Sequence, residues 1–235
     1  MILITDLCYK KGSLSYYEYV NPVCEIIEDS GFEYDVIHYS ELSGEIPEKY
    51  SSVIFCGTAL KDNLFIEDLS LMQAVRRYNK PVIGICAGMQ VVASAYGGDV
   101  RDFKKIGMSR IRFSPGDPIF SDIPDFITRS GAVAEDNSDM TGNSGSPVYE
   151  FEGYEVHSRI PDMPEDFIPL AESEVFQGAC GPFGSAISPV SSGSERYPEL
   201  IRHRDKPVYG ILFHPEVRNV WLIRNFARLS EGGEF

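Results

Sequence analysis

The stretch that decides the fold is Pro81-Val82-Ile83-Gly84-Ile85-Cys86-Ala87-Gly88-Met89-Gln90. Its first half is a short apolar run, the pattern of a strand buried on both faces of a parallel sheet. Its second half opens a helical segment at once, so Gly84-Ile-Cys86-Ala-Gly88 reads as a sharp strand-to-helix turn. Such an elbow lifts one side chain out of the backbone at the mouth of a sheet. It is the thiol counterpart of the turn that presents a nucleophilic serine in hydrolases. A thiol at a helix start also meets the positive end of the helix dipole, which favours the reactive thiolate.

Outward from this elbow, short apolar runs alternate with helical periods. Ile2–Leu7, Tyr34–His38, Ser52–Cys56 and Val82–Ile85 read as strands. Helices are expected at Tyr16–Asp29, stopped by Gly31, at Ile66–Tyr78, and at Met89–Tyr96, closed by Gly97-Gly98. That alternation predicts an α/β fold with a mostly parallel central sheet and helices on both faces. A last strand, Val208–Phe213, feeds His214-Pro215-Glu216 and an amphipathic helix to about Arg228. Ligands of such sheets sit outside the carboxyl ends of the strands, where Gly57, Cys86 and His214 fall. Ser109–Phe113 and Gly153–His157 look like half-exposed strands of a small antiparallel portion. Ser130–Val148 and Gly178–Pro198 are rich in small and polar residues with almost no periodicity, and read as loops: either functional lids or disordered insertions. The expectation is one domain over residues 1–229, with insertions near 130–148 and 178–198 and a flexible tail at 230–235.

With 235 residues, 43% hydrophobic and 24% charged, the chain can bury a sizeable core. A formal net charge of −14 argues against a nucleic-acid surface and against attraction to anionic membranes. No apolar run reaches the roughly 20 residues of a spanning helix. Met1-Ile-Leu-Ile-Thr-Asp6 reads as a first strand, since it lacks the basic region and long apolar stretch of a signal peptide. Five cysteines, at 8, 24, 56, 86 and 180, show no CxxC pairing, which indicates neither a disulfide framework nor a zinc site. A reducing, cytoplasmic setting fits them best.

Attack on a carboxamide needs a thiolate, a proton shuttle and donors for the oxyanion. Cys86 is the candidate nucleophile, because it alone combines an elbow, a helix start and flanking glycines. Cys8, Cys24 and Cys56 lie in or beside apolar segments and read as small core hydrophobes; Cys180, in the second polar stretch, reads as incidental. Of the four histidines, His38 and His203 read as structural or solvated. His214 ends an apolar strand, and Glu216 two residues on can bind one imidazole nitrogen while the other faces Cys86, the orienting logic of a catalytic triad. Glu216 read alone is equally a helix-start carboxylate. Backbone N–H groups of Ala87, after the nucleophile, and of Gly57, at the end of the third strand, are the candidate oxyanion donors.

Gly84-Ile-Cys86-Ala-Gly88-Met-Gln90 followed by Phe213-His214-Pro215-Glu216 resembles the signature of the class I (triad) glutamine amidotransferase family, and the order of elements follows it across essentially the whole chain. The resemblance implies a flavodoxin-like fold in which Cys86 attacks the side-chain amide of L-glutamine. A γ-glutamyl thioester forms and ammonia leaves, with His214 shuttling protons and Glu216 orienting it. It also places Gln90 and Gly57 against the glutamine, and makes Val156-His157-Ser158 the segment whose backbone and serine hold the amino-acid end. His157 is then a binding-loop residue; a surface histidine in a β-turn accounts for it equally well.

Three features depart from the pattern. The third strand ends Cys56-Gly57-Thr58-Ala59 in place of Gly-Gly-Pro, Ala87 replaces a larger residue, and the two Gly/Ser-rich stretches look like additions. The Cys-x-Gly-Met-Gln wording looks most like the amidotransferase subunits of GMP synthase. With no GxxxxGK[ST] loop, ATP use and acceptor chemistry would belong to a synthetase partner, and no cofactor or metal is implied. A γ-glutamyl hydrolase or peptidase needing no partner, or a non-catalytic regulatory protein on the same fold, are the alternatives.

Overall fold

The computed structural model describes residues 1–130, 147–174 and 196–232. Most of the two Gly/Ser-rich stretches, and Cys180 with them, lie outside the described residues. Strands β1 (Ile2–Asp6), β2 (Tyr34–His38), β3 (Ser52–Phe55) and β4 (Val82–Ile85) alternate with helices α1 (Ser15–Tyr19), α2 (Asn21–Asp29), α3 (Leu69–Arg77) and α4 (Ala87–Ala95). Six strands follow: β5 (Val100–Phe113), β6 (Thr128–Ser130), β7 (Val148–Pro161), β8 (Phe167–Glu174), β9 (Arg196–His203) and β10 (Val208–Ile211). Helices α5 (Pro215–Arg218) and α6 (Val220–Gly232) complete the described chain, with α6 continuing into the stretch read as a tail.

All ten strands join in one sheet of order β2-β1-β3-β4-β10-β9-β8-β5-β7-β6. The joins from β2 to β10 are parallel, and every join beyond is antiparallel. The expected mostly parallel core with helices on both faces is present, and the antiparallel part is larger than the small portion read from sequence. Alternate residues of the parallel strands serve opposite faces. Ile2, Ile4, Ile54 and Ile83 pack with Val23 and Ile27 of α2 and with Leu222 and Phe226 of α6. Leu3, Val53, Phe55 and Val82 pack instead with Leu71 and Val75 of α3 and with Met89 and Val92 of α4. Burial on both faces is why these strands read as unbroken apolar runs.

Two of the expected helices start or break elsewhere, for local reasons. Tyr16–Asp29 divides at Val20, because Asn21-Pro22 opens a new helix and proline has no N–H to continue the old one. Ile66–Tyr78 becomes a short 3₁₀ turn, Leu64–Glu67, and then α3, whose start is fixed by Asp68 Oδ1 accepting from Ser70 N at 2.9 Å and Leu71 N at 3.1 Å. In the antiparallel half, β5 and β7 extend well beyond the segments read as strands. Strands β8 and β9 were not anticipated, and β9 begins inside the stretch read as a loop at 178–198.

The site is positioned by how closely α4 lies on the sheet. A Cβ at Gly84 would come 2.1 Å from Gly88 O, and one at Gly88 would come 2.1 Å from Phe55 O. Gly210 pairs with Gly84 across β10 and β4, and its Cβ would meet Met89 Cγ at 2.7 Å. These three glycines let the start of α4 rest directly on β3, β4 and β10, at the carboxyl ends of the parallel strands.

Candidate active site

Cys86 caps the N-terminus of α4 with φ 51° and ψ −100°, a left-handed conformation that costs a non-glycine residue on the order of 1–3 kcal/mol. The turn is tied down by Cys86 N–H donating to Ile211 O at 2.7 Å, on the neighbouring strand β10. The side chain is buried, with Sγ 3.5 Å from Val156 O. Ala87, the first residue of α4, follows it directly.

From β10 the chain runs through Leu212-Phe213 to His214, and Pro215 starts α5. His214 Nδ1 lies 2.7 Å from Glu216 Oε1, and Nε2 lies 3.4 Å from Val156 O. The backbone N–H of His214 donates to Tyr154 O at 2.7 Å, and the Tyr19 ring packs 5.6 Å from the imidazole. Burial opposes charge on His214. The Glu216 carboxylate and the Cys86 thiol beside it outweigh that and hold its pKa well above the usual histidine value. Nδ1, facing a carboxylate oxygen, donates to Glu216 Oε1. Gly57 lies against the same ring: a Cβ there would stand 2.8 Å from His214 Cε1.

The thiol and the imidazole thus converge on one backbone carbonyl. Strand β7 crosses the carboxyl ends of the parallel strands and is fastened there along its length. Gln90 Nε2 donates to Arg159 O at 3.2 Å, and Ser158 Oγ donates to Leu60 O at 2.8 Å. His157 lies within β7, buried, and not in a surface turn. Its ring points away from Cys86, with Nε2 2.8 Å from Glu155 Oε2 and Nδ1 3.2 Å from Phe103 O.

Of the residues singled out from sequence, the structure gathers Cys86, His214, Glu216 and Gly57 in one place, with Ala87, Gln90 and Ser158 around them. Tyr154 and Tyr19 were not anticipated, and Val156 was named only within the segment whose backbone holds the amino-acid end of the substrate, not as the carbonyl on which the thiol and the imidazole meet. Val156 and Tyr154 contribute backbone carbonyls, which have no residue-type signature, and Tyr19 belongs to an ordinary aromatic helix stripe.

The remaining described cysteines are buried and free. Burial, with Asp6 adding to it, pushes Cys8 up to about 12; burial pushes Cys24 up to about 11 and Cys56 well above the usual thiol value. All three behave as core hydrophobes. His38 is held by Cys8 O at 2.8 Å, and His203 Nδ1 accepts from Asp205 N at 3.0 Å, so both are structural. Among the described residues, no group of three or more His, Cys, Asp or Glu side chains is placed to hold a metal ion. No helix among them is long and apolar enough to cross a membrane.

The family profile described as glutamine amidotransferase class-I matches residues 15–220. The chain is 24% identical over 227 residues to a glutamine-hydrolyzing GMP synthase subunit from Archaeoglobus fulgidus, covering 92% of this chain and 96% of that one. Identity to the corresponding subunit of Methanocaldococcus jannaschii is 24% over 156 residues, and that match spans 63% of this chain and 60% of that protein. Among solved structures, a Thermoplasma acidophilum protein described as one of the GMP synthase subunits superposes with a TM-score of 0.66 at 18% identity. That superposition covers 97% of this chain and 92% of the other, and shows a shared fold.

Proposed function

We propose that this chain, which belongs to the class-I glutamine amidotransferase family, hydrolyses the side-chain amide of L-glutamine and delivers the ammonia to an ATP-dependent synthetase of the GMP synthase type. The observation that carries this reading is the convergence of Cys86 Sγ and His214 Nε2 on Val156 O, with Glu216 holding His214 Nδ1 at 2.7 Å.

In this reading Cys86, His214 and Glu216 are the catalytic residues. His214 accepts the thiol proton, and the imidazolium is stabilised by Glu216. The thiolate attacks the amide carbon of glutamine, and the C=O π pair moves to oxygen, where the N–H groups of Ala87 and Gly57 receive it. The oxyanion collapses, the C–N bond breaks, and His214 returns its proton to the leaving nitrogen, which departs as ammonia. Water, deprotonated by the same imidazole, then cleaves the thioester to glutamate and the free thiol. Gln90, Ser158 and the backbone of His157 hold the amino-acid end of the substrate. The relatives named as GMP synthase subunits support the synthetase type of partner. Free, buried cysteines fit a cytoplasmic setting.

The test is glutamine-dependent ammonia release by the purified chain, with Cys86→Ala alongside and an electrophilic glutamine analogue as label. Release that Cys86→Ala abolishes, or labelling confined to Cys86, supports the reading. Absence of both, with a GMP-synthase-type synthetase supplied, overturns it.

A further inference from the structure

Behind the Val156 carbonyl lies a buried polar cluster that the reaction described above does not use. Lys105 Nζ stands 2.7 Å from Glu155 Oε1 and 3.9 Å from Glu199 Oε1. His157 Nε2 stands 2.8 Å from Glu155 Oε2, and Ser173 Oγ donates to Glu199 Oε1 at 2.6 Å. Both glutamates are buried, while Lys105 keeps 27% of its side chain exposed. Four strands contribute: Lys105 and Ser109 from β5, Glu155 and His157 from β7, Ser173 from β8, and Glu199 from β9.

Two irregularities in the sheet build this cluster. The pairing of β5 with β7 shifts between Asp102 and Lys105. The shift brings Phe103 O to His157 Nδ1 and Lys105 Nζ to Glu155. The pairing of β8 with β9 passes from Ala171↔Leu200 to Glu172↔Pro198, leaving Glu199 as the unpaired residue of a bulge. Bulges re-aim side chains, and these two aim a cation and a carboxyl at the same spot. Burying charge this way is costly unless it gives something in return.

We propose that the Lys105–Glu155–His157–Glu199 cluster is a positioning device for Cys86 and His214, fixing the Val156 peptide from behind so that its carbonyl stays on both. The reason is alternation along β7: Glu155 and His157 flank Val156, and both are bonded to each other and to neighbouring strands on the far face. With residues on either side of Val156 anchored, the peptide between them has no freedom to rotate. None of the cluster side chains touches Cys86, so these are positioning residues, and the proposal rests on the thiol-glutaminase reading of that site.

The cluster also carries a titration. Burial and the neighbouring Glu155 carboxylate push Glu199 up to about 8, whereas Glu155 keeps its charge: burial opposes it, but His157 and Lys105 outweigh burial and hold its pKa below the usual value. Glu199 Oε2 finds no hydrogen-bond partner among the described residues. Below pH 8 the cluster holds one carboxylate against Lys105. Above it, a second carboxylate appears beside the first, with Lys105 already committed, and the strand behind Val156 is pushed apart.

The experiment follows the rate of Cys86 alkylation by iodoacetamide against pH, read by mass mapping of the peptide that bears it. Wild type is compared with Glu199→Gln, which keeps the shape and a donor but cannot ionise, and with Ser173→Ala. Since a 1 Å misplacement costs about 10²-fold, the ratio of wild-type to Glu199→Gln rates should change by about tenfold between about pH 6.5 and about pH 9.5. In Ser173→Ala, which loses the hydroxyl that stabilises the Glu199 carboxylate, the break should move to higher pH. A ratio constant across the range, or a break unmoved in Ser173→Ala, overturns the positioning role. Iodoacetamide needs no glutamine binding: turnover of glutamine with a flat ratio removes only this proposal. The stated pH behaviour supports it even where glutamine turnover and analogue labelling are both absent with a GMP-synthase-type synthetase supplied, the result that removes the glutaminase reading instead.

Discussion

Substituting alanine for Gly57 tests how tightly the imidazole of His214 is held. The added Cβ would sit 2.8 Å from His214 Cε1, 3.2 Å from Tyr19 Cδ1 and 3.4 Å from His214 Nδ1. Carbon atoms at rest stand roughly 3.5–4.0 Å apart, so the ring must withdraw from its 2.8 Å approach by at least about 0.7 Å. It cannot do so freely. Nδ1 is tied to Glu216 at 2.7 Å and Nε2 faces Val156 O at 3.4 Å, and Tyr19 is pressed by the same methyl. Overpacking of this kind costs about 1–3 kcal/mol of stability. A displacement of that size should lower kcat/KM for glutamine hydrolysis by about 10- to 100-fold. Ammonia release and urea denaturation measure the two effects side by side. Gly116→Ala is the control, since its Cβ meets nothing within 4 Å and its φ is not positive; it should change stability by no more than about 0.5 kcal/mol. Turnover by Gly57→Ala equal to wild type, in a folded protein, would refute the placement of His214 against Gly57.

Gly88→Ala would drive a Cβ to 2.1 Å from Phe55 O and 2.8 Å from Phe55 C. We expect a loss of at least about 3 kcal/mol, read as failure to accumulate folded protein or as a sharply lower Tm. Phe113→Ala removes a fully buried ring whose centroid lies 4.3 Å from that of Phe120 and 6.1 Å from that of Trp221, and should cost about 3–5 kcal/mol in chemical denaturation. Glu216→Gln tests the charge on His214. A histidine whose folded pKa is raised stabilises the fold fully below its unfolded value of about 6.5 and loses that contribution as pH rises through the folded value. The stability advantage of wild type over Glu216→Gln should therefore be largest at low pH and shrink with rising pH in urea titrations. An advantage that grows with pH would show that His214 is not held charged.

The parallel half of the sheet was legible because its signals are local. Strands buried on both faces give unbroken apolar runs, and β4 meets α4 at an elbow that the glycines mark. The physical role of those glycines differs from the one their turn chemistry suggests. Neither Gly84 nor Gly88 has a positive φ; the left-handed residue of the elbow is Cys86 itself, and the glycines are there to let α4 touch β3 and β4. The antiparallel half was less legible because its strands are amphipathic, bulged and proline-bearing. Exposed Arg101, Asp102, Lys104 and Arg110 dilute β5. Pro169 and Pro198 lie inside β8 and β9, where proline argues against a strand; both sit where the register shifts, and a bulge tolerates the missing N–H.

The candidate site was legible where side chains act and illegible where the backbone does. Cys86, His214 and Glu216 are residue types with chemistry of their own, so their spacing carries information. The atom on which the thiol and the imidazole meet is Val156 O, and any residue supplies a carbonyl. His157 was singled out for its imidazole, yet alternation along β7 turns that ring to the far face. A distinction between front and back of one strand follows. Val156→Ala keeps the carbonyl and trims a half-buried side chain, so it should shift stability by no more than about 0.5 kcal/mol and leave Cys86 alkylation near the wild-type rate. Glu155→Gln changes no atom in contact with Cys86, yet it takes the charge from the anchor shared by Lys105 and His157. If the carbonyl is held from behind, the distant substitution slows alkylation and the adjacent one does not; the reverse order would place the control in the Val156 side chain and sink the backbone account.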